Sequence, residues 1–415
     1  MPGKDLAATR YSGLAQITPR NAPRLKAVWS FSTGVLGGHE GQPLVVGSTM
    51  YVVTPFPDVL YAFDLTSEGY PLKWKYRPDV NPTALGIACC DAINRGAVYA
   101  AGKIIYNLLD GHTVAVDATD GHEVWKTQIA DMSQGETTPM APFVAGNRVI
   151  VGPSGGEFGI YGWVKGLDLA TGKILWTAHN MGPDSLMLAR PGRGRYTADP
   201  NIGVSSWQGD SWRRGGAPVW GWISYDPQLD LIYFGTGNPG PYNTEQRPGE
   251  NKWTNSVLAR RPSDGALVWA YQFTPHDSWD FDSNAEMILA DLVVGGRMRR
   301  VLVHFDKNGF AYTRCRAVRE RDLGKGHQQA DRSADPRYDQ DHRRVARQCD
   351  RHLPQPRGWQ ESRVAECVFA AHGAVLYRDE QSLYELRSGA GDSHSGHTVY
   401  RRDYPLHGGA RRPHG

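Results

Sequence analysis

The chain has 415 residues, 40% hydrophobic and 21% charged, with a formal net charge of +3, a composition that allows a large core and excludes a wholly disordered chain. No run of about 18 apolar residues occurs, which excludes a transmembrane helix, and basic residues in the first 313 positions are scattered, which argues against a nucleic-acid face. No apolar stretch follows residues 1–5, so no signal peptide is expected, and taken alone the sequence points to the cytoplasm or to a chain that has lost its leader.

Short β-rich runs, such as 50–54, 148–152 and 231–235, recur between clusters of Gly, Pro, Asn and Asp. No long amphipathic helix competes with them, so the predicted class is all-β with many turns. Within this pattern a unit repeats: an apolar strand, an Asp, a short Gly-containing turn, and a second apolar run ending in Trp. Its copies span 62–74, 115–125, 166–176 and, in more degenerate form, 259–269. Trp74, Trp125 and Trp176 stand 51 residues apart, a period that suits one four-stranded propeller blade plus a long loop, with each Trp packed between blades. The wider gap before Trp269 accommodates a loop-rich insertion, where functional residues should collect.

Four stretches carry chemistry. The adjacent Cys89 and Cys90, in Cys89-Cys90-Asp91-Ala92-Ile93-Asn94-Arg95-Gly96, cannot staple distant segments; they are either two packed thiols or a vicinal disulfide forming one wall of a slot for a flat ligand. Ser154-Gly155-Gly156-Glu157 and Gly235-Thr236-Gly237-Asn238 offer oxygen donors. In Trp279-Asp280-Phe281-Asp282 the carboxylates alternate, so an extended strand would point Asp280 and Asp282 the same way. Either this is a solvated acidic loop or a cation lies between the two charges, and Asp, Glu and Asn oxygens suit a hard cation better than zinc.

With these stretches in view, residues 5–313 resemble the quinoprotein alcohol dehydrogenases, and within them the lanthanide-dependent methanol dehydrogenases. The matching motifs include Gly38-His39-Glu40-Gly41, Cys89-Cys90-Asp91, Asn94-Arg95-Gly96, Gly155-Gly156-Glu157, Met181-Gly182-Pro183-Asp184-Ser185, Trp220-Gly221-Trp222, Gly237-Asn238-Pro239 and Trp279-Asp280-Phe281-Asp282. The resemblance implies an eight-bladed β-propeller with tryptophan-docking repeats, of which this chain holds about the first four or five blades. It further implies pyrroloquinoline quinone (PQQ) on the propeller axis, a periplasmic location, a small alcohol as substrate, a cytochrome c as electron acceptor and a homodimer as candidate assembly.

Carried over by motif, Glu157, Asn238 and Asp280 correspond to metal ligands, and Asp282 to the extra carboxylate of the lanthanide type; calcium-dependent relatives have Ala there. Trp220 would cover one face of the quinone and a Cys89–Cys90 disulfide the other. Glu40, Arg95, Ser154, Gly155 and Gly156 resemble the cofactor-holding groups, and Lys307 the cation beside the quinone oxygens. The implied chemistry is hydride transfer from methanol or another short primary alcohol to the quinone C5, with Asp280 as base. One departure concerns the segment before Met140-Ala141-Pro142, where the family has Thr and this chain has Pro139; Thr138 is the expected substitute. A calcium-dependent quinoprotein is the alternative within the fold, and Asp282 speaks against it. A non-enzymatic propeller scaffold is the alternative from another class, and it needs neither the axial carboxylates nor the cysteine pair.

After Thr313 the match stops. Residues 314–415 hold 18 Arg, 8 of the 14 His and 1 of the 13 Trp. A basic disordered tail is one explanation; a reading-frame error is the sharper one. Rereading 349–361 and 376–386 one base out of frame permits segments that resemble the family's continuation, in the family's order. The expected organisation is a propeller region at 1–313 and a frameshifted or disordered tail at 314–415. Without its last blades the propeller could not close, and this chain would be inactive.

Overall fold

Apolar runs of four to six residues joined by tight turns fold here as antiparallel meanders. The computed structural model describes residues 3–189, 201–294 and 297–316, together with three later strands. The chain divides into two compact units, Met1–Val364 and Ala365–Gly415. The first contains four four-stranded sheets: β1 (Leu44–Val46), β2 (Thr49–Val53), β3 (Leu60–Asp64) and β4 (Leu72–Tyr76); β5 (Ala97–Ala100), β6 (Lys103–Leu108), β7 (His112–Asp117) and β8 (Glu123–Gln128); β9 (Phe143–Ala145), β10 (Arg148–Val151), β11 (Trp163–Asp168) and β12 (Ile174–His179); and β13 (Ile223–Asp226), β14 (Leu231–Gly235), β15 (Ser256–Arg260) and β16 (Leu267–Gln272). A three-stranded sheet, β17 (Ile288–Val294), β18 (Arg297–Phe305) and β19 (Ala311–Cys315), follows. The second unit has one described sheet, β20 (Glu366–Phe369), β21 (Val375–Asp379) and β22 (Ser382–Leu386), paired antiparallel in chain order. The first reread segment, 349–361, lies outside the described residues.

Middle strands are buried on both faces: every residue of β14 and β15 is buried, and all but the first of β6. The cause is face-to-face stacking of successive sheets. One apolar cluster joins Leu60 and Ala62 to Ile104 and Val114, a second joins Ile105 and Ala115 to Val149 and Leu167, a third joins Ile150 and Val164 to Phe234 and Leu258, and a fourth joins Tyr233 and Val257 to Leu289 and Leu302. First strands of successive sheets also neighbour one another, β1 with β5, β5 with β9 and β13 with β17.

The repeated tryptophans supply the contact between sheets. Each lies on the fourth strand, opposite a small residue of the third: Trp74 pairs with Ala62, Trp125 with Ala115, Trp176 with Gly166 and Trp269 with Ala259, and the register shifts immediately afterwards in every case. The ring then covers the turn glycine of the next sheet. A Cβ built on Gly121 would lie 2.6 Å from the Trp74 ring, one on Gly172 2.5 Å from Trp125, and one on Gly265 2.6 Å from Trp176. Indole N–H groups donate to turn carbonyls beyond: Trp125 to Leu169 (3.3 Å), Trp176 to Pro262 (3.0 Å) and Trp269 to Arg316 (3.1 Å). In the first sheet the Tyr51 hydroxyl takes the corresponding carbonyl of Ala118, at 2.8 Å.

The described strand extends past Thr313. β19 runs to Cys315, and the Arg316 guanidinium pairs with Asp226 (2.8 Å) and with Asp291. Among the described residues no helix is long and apolar enough to cross a membrane.

Candidate active site

Three loops leaving one end of the third and fourth sheets build the site. The first follows β10. Ser154 and Thr137 exchange backbone hydrogen bonds of 2.7 and 3.3 Å, which fixes the entry to Gly155, whose φ of +120° only glycine adopts readily. Gly156 then opens a single helical turn, Gly156–Phe158, that carries Glu157. The second loop leaves β14 through Gly237 to Asn238. The third follows β16 and carries Asp280 and Asp282, and its backbone is organised by Asp277, whose carboxylate accepts from the N–H groups of Trp279 (2.9 Å) and Phe281 (3.0 Å).

The loops interlock at glycines. A Cβ on Gly156 would lie 2.3 Å from Asn238 Oδ1, and one on Gly237 2.5 Å from Asp282 Oδ1. The Asn238 N–H donates to Asp282 Oδ1 at 2.8 Å. Lys307, in the turn between β18 and β19, reaches both carboxylates: its Nζ lies 3.0 Å from Asp280 Oδ2 and 3.2 Å from Asp282 Oδ2. That turn is pinned by Asp306, which accepts from Asn308 N (3.1 Å) and is paired with the buried His304 ring (3.0 Å).

Charge here is unbalanced. Asp280 and Asp282 share one ammonium, Lys307, and Glu157 adds a third carboxylate that acts on the same Tyr242 hydroxyl as they do. Burial, and then the adjacent Asp280, push the Asp282 carboxyl up to about 7, against the pull of Lys307 and the Asn238 N–H. Burial acts against the Lys307 charge, but the two carboxylates outweigh it and raise its pKa. Asn238 is fully buried, and both its Oδ1 and Asp280 Oδ1 are buried without any hydrogen-bond partner. Each such acceptor costs about 1–3 kcal/mol unless something satisfies it. A hard cation would do so, and the all-oxygen donor set matches that class rather than zinc. The residues present therefore fit a bound metal ion.

Beside this cluster are groups suited to a flat anionic ligand. Cys89 and Cys90 are joined to each other, and Cys90 and Asp91 both adopt positive φ, +62° and +87°. Asn94 anchors the loop that follows, its Nδ2 donating to Asp58 Oδ1 (3.0 Å) and to the Asn107 carbonyl (2.8 Å). Arg95 pairs with Glu40 at 3.6 Å, and its guanidinium carbon lies 4.9 Å from the Trp220 ring centroid. Trp220 is tied to the Glu157 loop through its neighbour Val219, whose N–H donates to Pro153 at 2.9 Å. Glu40, Arg95 and Trp220 thus come together, while Thr138 is fully buried with its hydroxyl donating to the Leu108 carbonyl at 2.6 Å.

The sequence reading missed Tyr242, whose hydroxyl is 3.4 Å from Glu157 Oε1. Burial, then Glu157, Asp280 and Asp282, raise its pKa, so one hydroxyl feels all three carboxylates. Its only signal was a position four residues after Asn238 in a Gly-Pro turn.

The sequence pattern of the family described as "PQQ: Glucose/ethanol/alcohol dehydrogenase, beta-propeller domain" matches residues 1–317. The chain belongs to this PQQ-dependent dehydrogenase family. Within it, the chain is similar to a lanthanide-dependent methanol dehydrogenase of Methylacidiphilum fumariolicum, 51% identical over 75% of this chain and 52% of that protein. A methanol dehydrogenase (cytochrome c) subunit 1 of Paracoccus denitrificans is 43% identical over 75% of this chain and 51% of its own length. The structure of a europium-containing methanol dehydrogenase superposes with a TM-score of 0.74 at 50% identity, covering 76% of this chain and 56% of that one. The chain spans about half the length of the curated relatives it matches.

Proposed function

We propose that this chain derives from a periplasmic, lanthanide-using PQQ alcohol dehydrogenase that oxidises methanol or another short primary alcohol and passes electrons to a cytochrome c. The observation that carries the reading is the pair of partnerless buried oxygens, Asn238 Oδ1 and Asp280 Oδ1, near carboxylates at 157, 280 and 282 that all act on the Tyr242 hydroxyl. Glu157, Asn238, Asp280 and Asp282 would hold the cation, and Asp282 supplies the additional anionic oxygen that favours a trivalent ion over calcium. Glu40, Arg95, Ser154, Gly155 and Gly156, with Thr138 behind them, would hold the quinone between Trp220 and the Cys89–Cys90 pair.

When bound, the metal and quinone together supply a polarised carbonyl that accepts hydride from the alcohol carbon. Asp280 would accept the alcohol's hydroxyl proton on its carboxylate, and Lys307, 3.0 Å from Oδ2, would balance the charge there. Arg95, whose guanidinium carbon lies 4.9 Å from the Trp220 ring centroid, gives fork-shaped recognition of a carboxylate.

The four four-stranded sheets and the three-stranded one correspond to the first blades of an eight-bladed propeller. For residues 314–415 we favour a shifted reading frame, supported by the end of the family match at residue 317 and the change in Arg, His and Trp usage. Sequencing the coding DNA around Thr313 tests this; an unchanged frame in genomic DNA refutes it. A frame-restored protein supplied with PQQ should oxidise methanol with lanthanum far better than with calcium. Equal activity in both metals would overturn the role given to Asp282.

A further inference from the structure

The cation cluster is assembled from loops that share no strand, since Asn238 follows β14 while Asp280 and Asp282 follow β16. Inside the cluster the Asn238 N–H bond to Asp282 Oδ1 ties the two loops at one point; the rest of their spacing is held by groups outside it.

Arg247 lies between the two loops and is fully buried. Its Nε donates to the Pro241 carbonyl (2.6 Å) and its Nη2 to the Tyr242 carbonyl (3.4 Å), both on the Asn238 loop. The same Nη2 donates to the Asp277 carbonyl on the other loop. Its Nη1 donates to Asn251 Oδ1 (2.8 Å), and Asn251 Nδ2 returns a bond to the Arg247 carbonyl (2.9 Å). A second stitch runs parallel. Asn255 N donates to the Gly237 carbonyl (3.1 Å), and its Nδ2 to Asp277 Oδ2 (2.9 Å) and the Phe281 carbonyl (2.7 Å).

Arg247 thus meets carbonyls and an amide, not a carboxylate side chain. Its value lies in the rigid fork of donors, which a lysine with one rotatable ammonium cannot reproduce across both loops. Groups of this kind outside a metal's ligand shell govern affinity by holding the ligands in place.

We propose that Arg247, seconded by Asp277, is a positioning residue that sets the gap between Asn238 and the Asp280/Asp282 pair, and with it the cluster's affinity and size preference for a trivalent cation. The proposal rests on reading the cluster as a metal site. The test is terbium luminescence titration of the 415-residue chain and of its Arg247→Lys and Asp277→Asn variants, with lanthanum-against-lutetium competition and metal-free thermal unfolding alongside. Terbium affinity should fall by ~10- to 100-fold in each folded variant, and the lanthanum-to-lutetium preference should flatten. Both readouts unchanged in a folded variant would overturn the proposal; should Arg247→Lys fail to fold, Asp277→Asn decides, since it keeps the arginine. Asn238→Ala and Asp280→Ala separate the two levels. If they abolish terbium binding while the positioning variants bind like wild type, only the positioning role fails. If they too bind like wild type, or the wild type binds no terbium, the metal site falls and the proposal with it.

Discussion

Replacing Gly156 with alanine tests the cluster geometry with a single methyl group. The built Cβ would lie 2.3 Å from Asn238 Oδ1 and 3.0 Å from both Asn238 Cγ and Pro218 Cδ. Ordinary contact begins near 3.4 Å, so the Asn238 amide must retreat by roughly 1 Å, a misplacement of the size that costs an enzyme about 100-fold when it falls on a reacting group. The backbone at Gly156 is not in the left-handed region, so the expense to folding is only that of overpacking, about 1–3 kcal/mol. The variant should fold, melt a few degrees lower and bind terbium ~10- to 100-fold more weakly. Luminescence titration beside a metal-free melt measures both. A folded Gly156→Ala chain with wild-type terbium affinity would refute the assignment of Asn238 Oδ1 as a ligand.

Other outcomes follow from the same structure. Gly172 has a φ of +73° and its built Cβ lies 2.5 Å from the Trp125 ring, whereas Gly146, at +58°, has open space. Alanine at 146 should therefore cost about 1–2 kcal/mol from backbone strain alone and alanine at 172 about 2–4 kcal/mol; equal losses in urea unfolding would mean that the tryptophan does not dock there. Burial holds the His179 imidazole down at about 4, against an ordinary 6.5, so the neutral ring stabilises the fold above pH 6.5 and that stability is lost as pH falls toward 4. The decline should be about 1–3 kcal/mol, and His179→Gln should flatten it; an unaltered pH profile in that variant contradicts the burial argument. For the cysteine pair, mass spectrometry of a peptide spanning Cys89 and Cys90 should show two hydrogens fewer than the dithiol, restored by reductant. Alkylation of both without reductant would leave two packed thiols.

Much of the fold was legible because its determinants are local. The fixed offset between a small residue and a Trp reflects their pairing across two adjacent strands, as with Ala115 and Trp125, and the turn glycine between them is what the preceding Trp covers. The alternating carboxylates were legible too, although not for the reason given: Asp280 has a φ of +65°, so the segment is a capped loop rather than an extended strand, and the two side chains converge because Asp277 ties down the backbone between them. What sequence could not give were contacts made across long separations. Tyr242 meets Glu157 over 85 positions, and Arg247 meets Asp277 over 30, each through a loop geometry that no local pattern encodes.

On this reading the oxygen cluster, and not some other acidic patch, takes the cation. Anomalous diffraction from crystals grown with PQQ and a lanthanide tests it most directly. One strong peak is expected about 2.3–2.6 Å from Asn238 Oδ1 and Asp280 Oδ1, with Glu157 and Asp282 completing the shell. A cluster empty of metal, with the peak instead at the exposed Asp117, Asp120 and His122 group, would contradict it.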